Sequence, residues 1–457
     1  MTRIEKQTVL IVTASLLAIA DVLIFLSSLG PQKHAHSAHS NPAEQIVAPL
    51  TCEQVFRIGR WSSRQYGGFR RTDLQSLAFW KNVSQLFAEK ADPYKVLFLD
   101  SEVRRLKGAM QTGFPKWPEN QRCELFEQWL NRHLPLARVR MEQHLRRNSL
   151  LGKAQTKTAG ENPLEARLYR SLPFGRDENE LKQRANDLVT KMLSAADPHV
   201  LTAYKSDRRK FVADSLRQLV FGEETNSNEL LAKSVLGALD THSTYFSPNE
   251  FEDFYYELAG GATGLGVKVR KVPQGLVIEK ITKDSPAGRC KVLEPGDILT
   301  AVDEVSLVNM PLSVARRALR GPENTKARIQ FQKGPDGPNK SVVLERKSFA
   351  LEDAKITHKV ITSKKRPDIG IAVIEVPSFY GRGGMEPLQE ERSSSEDLQR
   401  ILSELRDSAK KTPSAIVLDL RGNPGGFLEE AVSMASFFLG EKPVVGVVEN
   451  GTHRRIL

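Results

Sequence analysis

The stretch Ser414–Leu439, SAIVLDLRGNPGGFLEEAVSMASFFL, constrains the chain more than any other. Ile416, Val417 and Leu418 make a short apolar run rich in β-branched residues, the pattern of a strand buried on both faces. Arg421-Gly422-Asn423-Pro424-Gly425-Gly426 then breaks it with a turn whose glycines allow positive φ and bare their backbone N–H groups. Leu428, Ala431, Val432, Ala435, Phe438 and Leu439 mark one apolar face of a helix, with Glu429 and Glu430 in its first turn, where the dipole favours carboxylates. Gly440 closes it. A strand that feeds a glycine turn and a helix N-terminus can hold an anion on backbone amides, including one that exists only in a transition state. The same arrangement also serves as a plain connection between strand and helix.

The 457 residues suffice for about three domains. An apolar content of 40% with 26% charged residues is that of a globular protein and excludes wholesale disorder. The net charge of +11 raises nucleic acid or an anionic membrane as partners. Its densest basic zone, residues 131–160 with Arg132, Arg138, Arg140, Arg146 and Arg147, has no interleaved aromatics, so it reads as a solvated helical face and no nucleic-acid partner is expected. Cys52, Cys123 and Cys290 lie far apart without CxxC spacing, and neither metal nor cofactor is expected. Cys52 and Cys123 either pair in an oxidising compartment or remain two buried thiols.

Taken in order, the chain opens with residues 1–30, a signal peptide or membrane anchor. Thr8–Leu29 is almost wholly apolar and long enough to cross a bilayer, with Asp21 its one charge; the expectation is an uncleaved anchor with the bulk of the protein exported. Cleavage after Ala20, Ser37 or Ser40 is the alternative. Residues 31–49 form a polar linker whose His34, His36 and His39 belong to a tether rather than a metal site. Residues 50–248 read as mainly helical: a helix ends near Ala91-Asp92-Pro93, a second starts with Ser101 as cap, and others cover Cys123–Leu134, Leu136–Leu150, Glu180–Ser194, Phe211–Phe221 and Ser227–Leu239. Asp240 and His242 sit in a helix-terminating turn, LDTHSTYFSP, and are read as structural.

Beyond it, Leu276–Ile281, Ile298–Val302, Ala327–Phe331 and Ser341–Leu344 are strand-like, Ser285–Gly288 reads SPAG, and Leu312–Leu319 is a helix presenting Val314, Ala315, Ala318 and Leu319 on one side. Ile369–Val376 is a further apolar strand. Ser393 and Glu396 make a capping-box pattern for a helix whose face runs Leu398, Ile401, Leu402, Leu405, Ala409. With Val444–Val448 as a last strand, the end of the chain alternates strand and helix, which suggests a parallel or mixed layered sheet.

LDTHSTYFSP (Leu239–Pro248), VIEVPSFY (Val373–Tyr380) and LDLRGNPGG with its helix, in this order along the chain, resemble the carboxyl-terminal processing, or tail-specific, proteases. The resemblance implies a multidomain α+β fold: an N-terminal membrane segment, a helical region, a PDZ-like β domain at 250–350, and the first half of an α/β peptidase core at 351–457. It implies an exported serine endopeptidase on the periplasmic side of a bacterial inner membrane. Its partners would be protein or peptide substrates with free C-termini, and the membrane through Thr8–Leu29. Gly264-Leu265-Gly266-Val267 resembles the carboxylate-binding loop of a PDZ domain, beside which a substrate tail adds as a strand. The net +7 of residues 261–350 suits a carboxylate. Gly425 or Gly426 would supply an oxyanion-hole N–H. The family's nucleophile is a serine activated by a lysine, and both would follow the strand after the LRGNPGG helix, so no residue of this chain is assigned to either role. The two readings are a peptidase truncated before its nucleophile and a short membrane-tethered module that binds tails without cutting them.

Overall fold

The computed structural model describes residues 10–15, 18–23, 49–65, 74–147 and 169–456, apart from 112, 170, 206, 221–225, 242, 248–249, 252–253, 255–260, 351–354, 363–369, 382–392, 408–412, 424, 441, 443 and 450–452. Its first domain is helical: α1 (Cys52–Gln65), α2 (Leu77–Ala91), α3 (Asp100–Ala109), α4 (Glu119–Arg147), α5 (Glu178–Ser194), α6 (Pro198–Ala203), α7 (Arg208–Val220) and α8 (Ser227–Leu239). Side-chain oxygens that accept the first free N–H groups set several of the starts. Ser76 accepts from Phe79, Asp177 from Glu180, and Asn226 from Asn228 and Glu229.

Two helical expectations are corrected. α3 begins before Ser101, because Leu99 N–H donates to Glu102 Oε2 at 2.9 Å and closes the turn from inside the helix. α4 is one helix where Pro135 was expected to separate two. Phe126, Leu130, Leu134, Ala137 and Met141 form one buried stripe across the proline, and that burial outweighs the single hydrogen bond a proline removes. Trp80, Phe87, Phe98, Phe114 and Phe126 fill the centre of this domain. A disulfide joins Cys52 of α1 to Cys123 of α4, with Cα atoms 6.1 Å apart, which decides between the two readings of these cysteines.

The segment expected to cross a membrane as one helix is different in the residues described. β1 (Leu10–Ser15) and β2 (Ala18–Leu23) pair antiparallel, and β1 also pairs with β3 (Ser243–Phe246). Its β-branched residues Ile11, Val12, Thr13, Ile19 and Val22 favour extended backbone. Among the described residues no helix is long and apolar enough to cross a membrane. Residues 31–48 of the linker, with His34, His36 and His39, and His242 further on, lie outside the described residues.

The second domain is a sheet. β4 (Gly261–Gly264) pairs with β11 (Lys347–Ala350). Between them run β5 (Val267–Val272), β6 (Gly275–Ile281), β7 (Ile298–Val302), β8 (Val305–Ser306), β9 (Lys326–Gln332) and β10 (Asn339–Glu345). The order is β10-β9-β7-β6-β5, with β8 beside β7 and β5 at the edge. α9 (Pro286–Cys290) and α10 (Leu312–Leu319) close its core over Leu265, Val269, Leu276, Ile278, Ala315 and Leu319. Val272, Val277 and Ile298 instead join the core of the helical domain. Gln274 Nε2 donates to Ala203 O and Gln218 Nε2 to Lys271 O, both at 3.3 Å, so the tip of the β5–β6 hairpin is seated among α6 and α7.

The last domain holds β12 (Thr357–Thr362), β13 (Gly370–Glu375) and β14 (Ala415–Asp419), with α11 (Ser394–Asp407) and α12 (Leu428–Leu439). β12 is antiparallel and β14 parallel to β13. The Ile416–Leu418 run was expected to be buried on both faces, yet Ile416 is 39% and Val417 47% exposed. No described strand pairs with β14 beyond β13, so β14 is an edge; Phe437, Phe438 and Leu439 of α12 are exposed too. The expected strand at Val444–Val448 appears as β15 (Gly446–Glu449), but it pairs with β16 (His453–Ile456) and does not extend the sheet.

Candidate functional site

Two backbone constellations correspond to the residues singled out in the sequence. The first is the loop between β4 and β5. Gly264 has φ +152°, and a Cβ there would lie 3.3 Å from Leu319 O and 3.4 Å from Arg320 Cα, which sets the loop against the C-terminal end of α10. Gly266 has φ +78°, and a Cβ there would lie 1.9 Å from Ser285 Cβ, so only glycine fits. Leu265, 2% exposed, anchors the loop in the core. Two of the loop's carbonyls are consumed: Leu265 O accepts from Ala287 N–H and Gly266 O from Thr282 N–H, both at 2.9 Å. Ser285 caps α9 by accepting from Gly288 N–H at 3.2 Å, which holds the wall behind Gly266. Val267 starts the edge strand directly after the loop, with α10 alongside. The arrangement combines a backbone loop, an edge strand among the described residues and a helix packed into the same core. Arg346, 5% exposed, fixes that helix's last turn by donating to Ala318 O at 2.9 Å and to Asp303 Oδ2 at 3.2 Å.

The second is the turn between β14 and α12. Asp419 closes its entrance on Arg421: Nε donates to Oδ1 at 2.9 Å and Nη2 to Oδ2 at 2.6 Å, and the Arg421 N–H adds a third bond. These bonds hold the Asp419 carboxyl down at about 2. Asn423 braces the turn, donating Nδ2 to Val376 O at 3.0 Å while its Oδ1 accepts the Gly425 N–H at 2.7 Å. Gly426 lies against Phe379: Phe379 N–H donates to Gly425 O and Phe427 N–H to Phe379 O, at 2.9 and 2.8 Å. Gly425 and Gly426 were singled out together, but the Gly425 amide is occupied within the turn. Among the described residues no acceptor meets the Gly426 N–H.

Sequence reading missed what lies around this turn. Glu430, assigned to its own helix dipole, instead reaches α11, where its Oε2 accepts from Ser393 Oγ at 2.7 Å and from Ser395 N–H at 2.9 Å. Ser393 Oγ also accepts the Glu396 N–H at 3.4 Å, as the capping pattern anticipated. Tyr380, 1% exposed, donates its hydroxyl to Asp397 of α11. The run Ser393-Ser394-Ser395 signals a cap and says nothing of a carboxylate arriving from elsewhere in the chain. The two constellations lie in separate domains, and among the described residues no cluster of His, Cys, Asp and Glu is arranged to hold a metal.

Three family profiles match in chain order: the tail specific protease N-terminal domain over residues 72–249, a PDZ domain over 277–333 and peptidase family S41 over 370–455. The chain belongs to the carboxyl-terminal processing, or tail-specific, protease family. The PDZ profile takes in β6, β7, β9 and α10, while the Gly264–Val267 loop precedes it. A probable CtpA-like serine protease of Staphylococcus haemolyticus is 26% identical over 55% of this chain and 48% of its own length. The tail-specific protease of Haemophilus influenzae is 26% identical over 51% of this chain and 32% of its own. The matches thus span half or less of these relatives' length. Among solved structures, the PDZ domain of a carboxy-terminal protease from Vibrio cholerae in complex with a peptide is 22% identical, covering 20% of this chain and 99% of that domain, with a TM-score of 0.19.

Proposed function

We propose that this chain is the tail-recognising part of an exported serine endopeptidase and carries one element of its oxyanion hole. The observation that carries the reading is the edge strand β5, which follows the Gly264–Val267 loop, itself set against the end of α10, and shares its core with that helix. The Leu265 and Gly266 carbonyls are already bonded, so what these two residues offer a ligand is N–H groups, which suit a terminal carboxylate. A substrate tail adds to β5 as an antiparallel strand, with side chains against Ala315, Ala318 and Leu319. In the peptidase domain Gly426 N–H is the group proposed to meet the oxyanion, a contact worth about 2.7–4 kcal/mol per donor. Gly425, held by Asn423, supports the turn instead. The attacking serine and its lysine base are assigned to no residue of this chain, and cleavage is proposed for the whole protein. Export is supported by the Cys52–Cys123 disulfide, since such bonds persist in oxidising compartments.

The test is calorimetric titration with peptides ending in small apolar residues, each as free acid and as C-terminal amide. Hydrogen bonds to a charged group contribute about 1.5–3 kcal/mol, so the amide is expected to bind at least about tenfold more weakly. Equal affinities would remove the tail-binding assignment.

A further inference from the structure

We propose that Glu430 is a positioning residue for the Gly426 amide: it clamps the starts of α11 and α12 together so that the N–H offered to the oxyanion keeps one direction. The inference rests on the oxyanion reading of Gly426 given above. In the trans peptide that joins Gly425 to Gly426, the carbonyl and the N–H point in opposite directions. Gly425 O accepts from Phe379 N–H at 2.9 Å, so the Gly426 N–H is turned away from Phe379. Its direction therefore depends on where the Phe379–Tyr380 backbone sits. Phe427 N–H holds that backbone from the turn, donating to Phe379 O at 2.8 Å. Ser394 N–H holds it from α11, donating to Tyr380 O at 2.8 Å.

Glu430 closes the third side of this triangle. It stands one helical turn after Gly426, and its Oε2 accepts from Ser393 Oγ at 2.7 Å, from Ser394 Oγ at 3.2 Å and from Ser395 N–H at 2.9 Å. All three partners lie at the start of α11, and Ser393 and Ser394 are buried, a setting in which bonds to a charged acceptor are strong. The path of the side chain is built in as well. A Cβ at Gly381 would lie 2.5 Å from Glu430 Cγ and 2.5 Å from its Oε1, so the residue after Tyr380 leaves room for the carboxylate to pass. The helix dipole alone does not account for this, since Glu429 stands in the same first turn and is exposed. Without the clamp, α11 is free to shift against α12 and to carry Tyr380 and Phe379 with it, which rotates the Gly425–Gly426 peptide. A group misplaced by about 1 Å loses most of its effect on a transition state.

The experiment has two arms. In this chain, native-state hydrogen exchange at the Phe379 and Phe427 amides compares Glu430→Ala and Gly381→Ala with Glu429→Ala, a control in the same helical turn. Exchange is expected to quicken about ten- to a hundredfold in the first two. In the control it is expected to quicken by less than about fivefold, the dipole contribution alone. Gly381→Ala displaces the Glu430 side chain and keeps every charge, so the comparison stands even where Glu430→Ala does not fold. In the whole protein, Glu430→Ala is expected to lower kcat on a tail-bearing peptide about ten- to a hundredfold with KM within about twofold. Glu430→Gln keeps an acceptor for Ser393 and Ser395 and is expected to recover to within about fivefold of the unmodified kcat. Exchange in Glu430→Ala and Gly381→Ala no faster than in Glu429→Ala overturns the clamp and leaves the oxyanion reading intact. Faster exchange with kcat unchanged overturns the oxyanion reading of Gly426, and the inference with it. Glu430→Gln as slow as Glu430→Ala assigns the effect to charge and not to the bonds, and overturns the clamp as well.

Discussion

Two of the three positive-φ glycines of the LRGNPGG turn, Gly426 and Gly422, differ in their surroundings, which makes a controlled comparison. Gly426, at φ +153°, is crowded: a Cβ would lie 2.2 Å from Phe379 O and 2.5 Å from its carbonyl carbon, both backbone atoms with no flexible end to swing away. Gly422, at φ +80°, has nothing within 4 Å. Alanine at Gly422 therefore adds backbone strain alone, about 1–2 kcal/mol. Alanine at Gly426 adds similar strain, about 1–3 kcal/mol, and also pushes Phe379 off the turn. That breaks the Phe379 N–H to Gly425 O and Phe427 N–H to Phe379 O bonds, at about 1 kcal/mol each. Gly426→Ala is thus expected to exceed Gly422→Ala by about 2 kcal/mol, or roughly 30-fold in the opening equilibrium. Native-state hydrogen exchange at the Phe379 and Phe427 amides reads this locally, without a two-state assumption for a chain of several domains. Protection that falls equally in the two variants would refute the argument, because the turn would then not depend on contact with Phe379.

The Cys52–Cys123 bridge closes 71 residues of chain, for which loop-closure entropy gives about 4 kcal/mol. The Cys52→Ser/Cys123→Ser variant is accordingly expected to unfold at a clearly lower urea concentration, and an unchanged midpoint would show that the bridge adds nothing. Hydrogen bonds from the Arg421 side chain and backbone depress Asp419 from 3.8 to about 2, so this pair stabilises the fold above pH 3.8 and loses that contribution as pH falls through 2. In Arg421→Gln the Asp419 carboxyl is expected to titrate closer to 3.8 by NMR, and a value still near 2 would assign the shift to another group.

Much of the sheet domain was legible because its signals are local. Strand periodicity and the helix Leu312–Leu319 are each determined within a few residues, and the elements appear where that chemistry sets them. The helices of the first domain were legible for the same reason, except where tertiary burial overrode a local rule, as at Pro135. The strand-turn-helix at Ala415–Leu439 was recognised as elements, but its environment was misjudged. Hydrophobic periodicity reports what a segment is able to bury and not what covers it, so Ile416 and Val417 read as core and stand partly in water. The candidate site was half legible. Glycines announce themselves by type, whereas Asn423 holding Gly425, Glu430 holding α11 and Gln218 reaching Lys271 join residues whose proximity only the fold creates.

The seating of Val272, Val277 and Ile298 in the helical core also bears on cooperativity. A domain that keeps its apolar side chains to itself can melt alone, whereas here the β5–β6 hairpin shares its interior with α6 and α7. Opening that hairpin exposes part of the helical core, so its free energy of opening is tied to the larger unit and it belongs to the same foldon. Strand β5 therefore draws its stiffness from helices of the neighbouring domain, and excising the sheet domain would remove that support along with the helices.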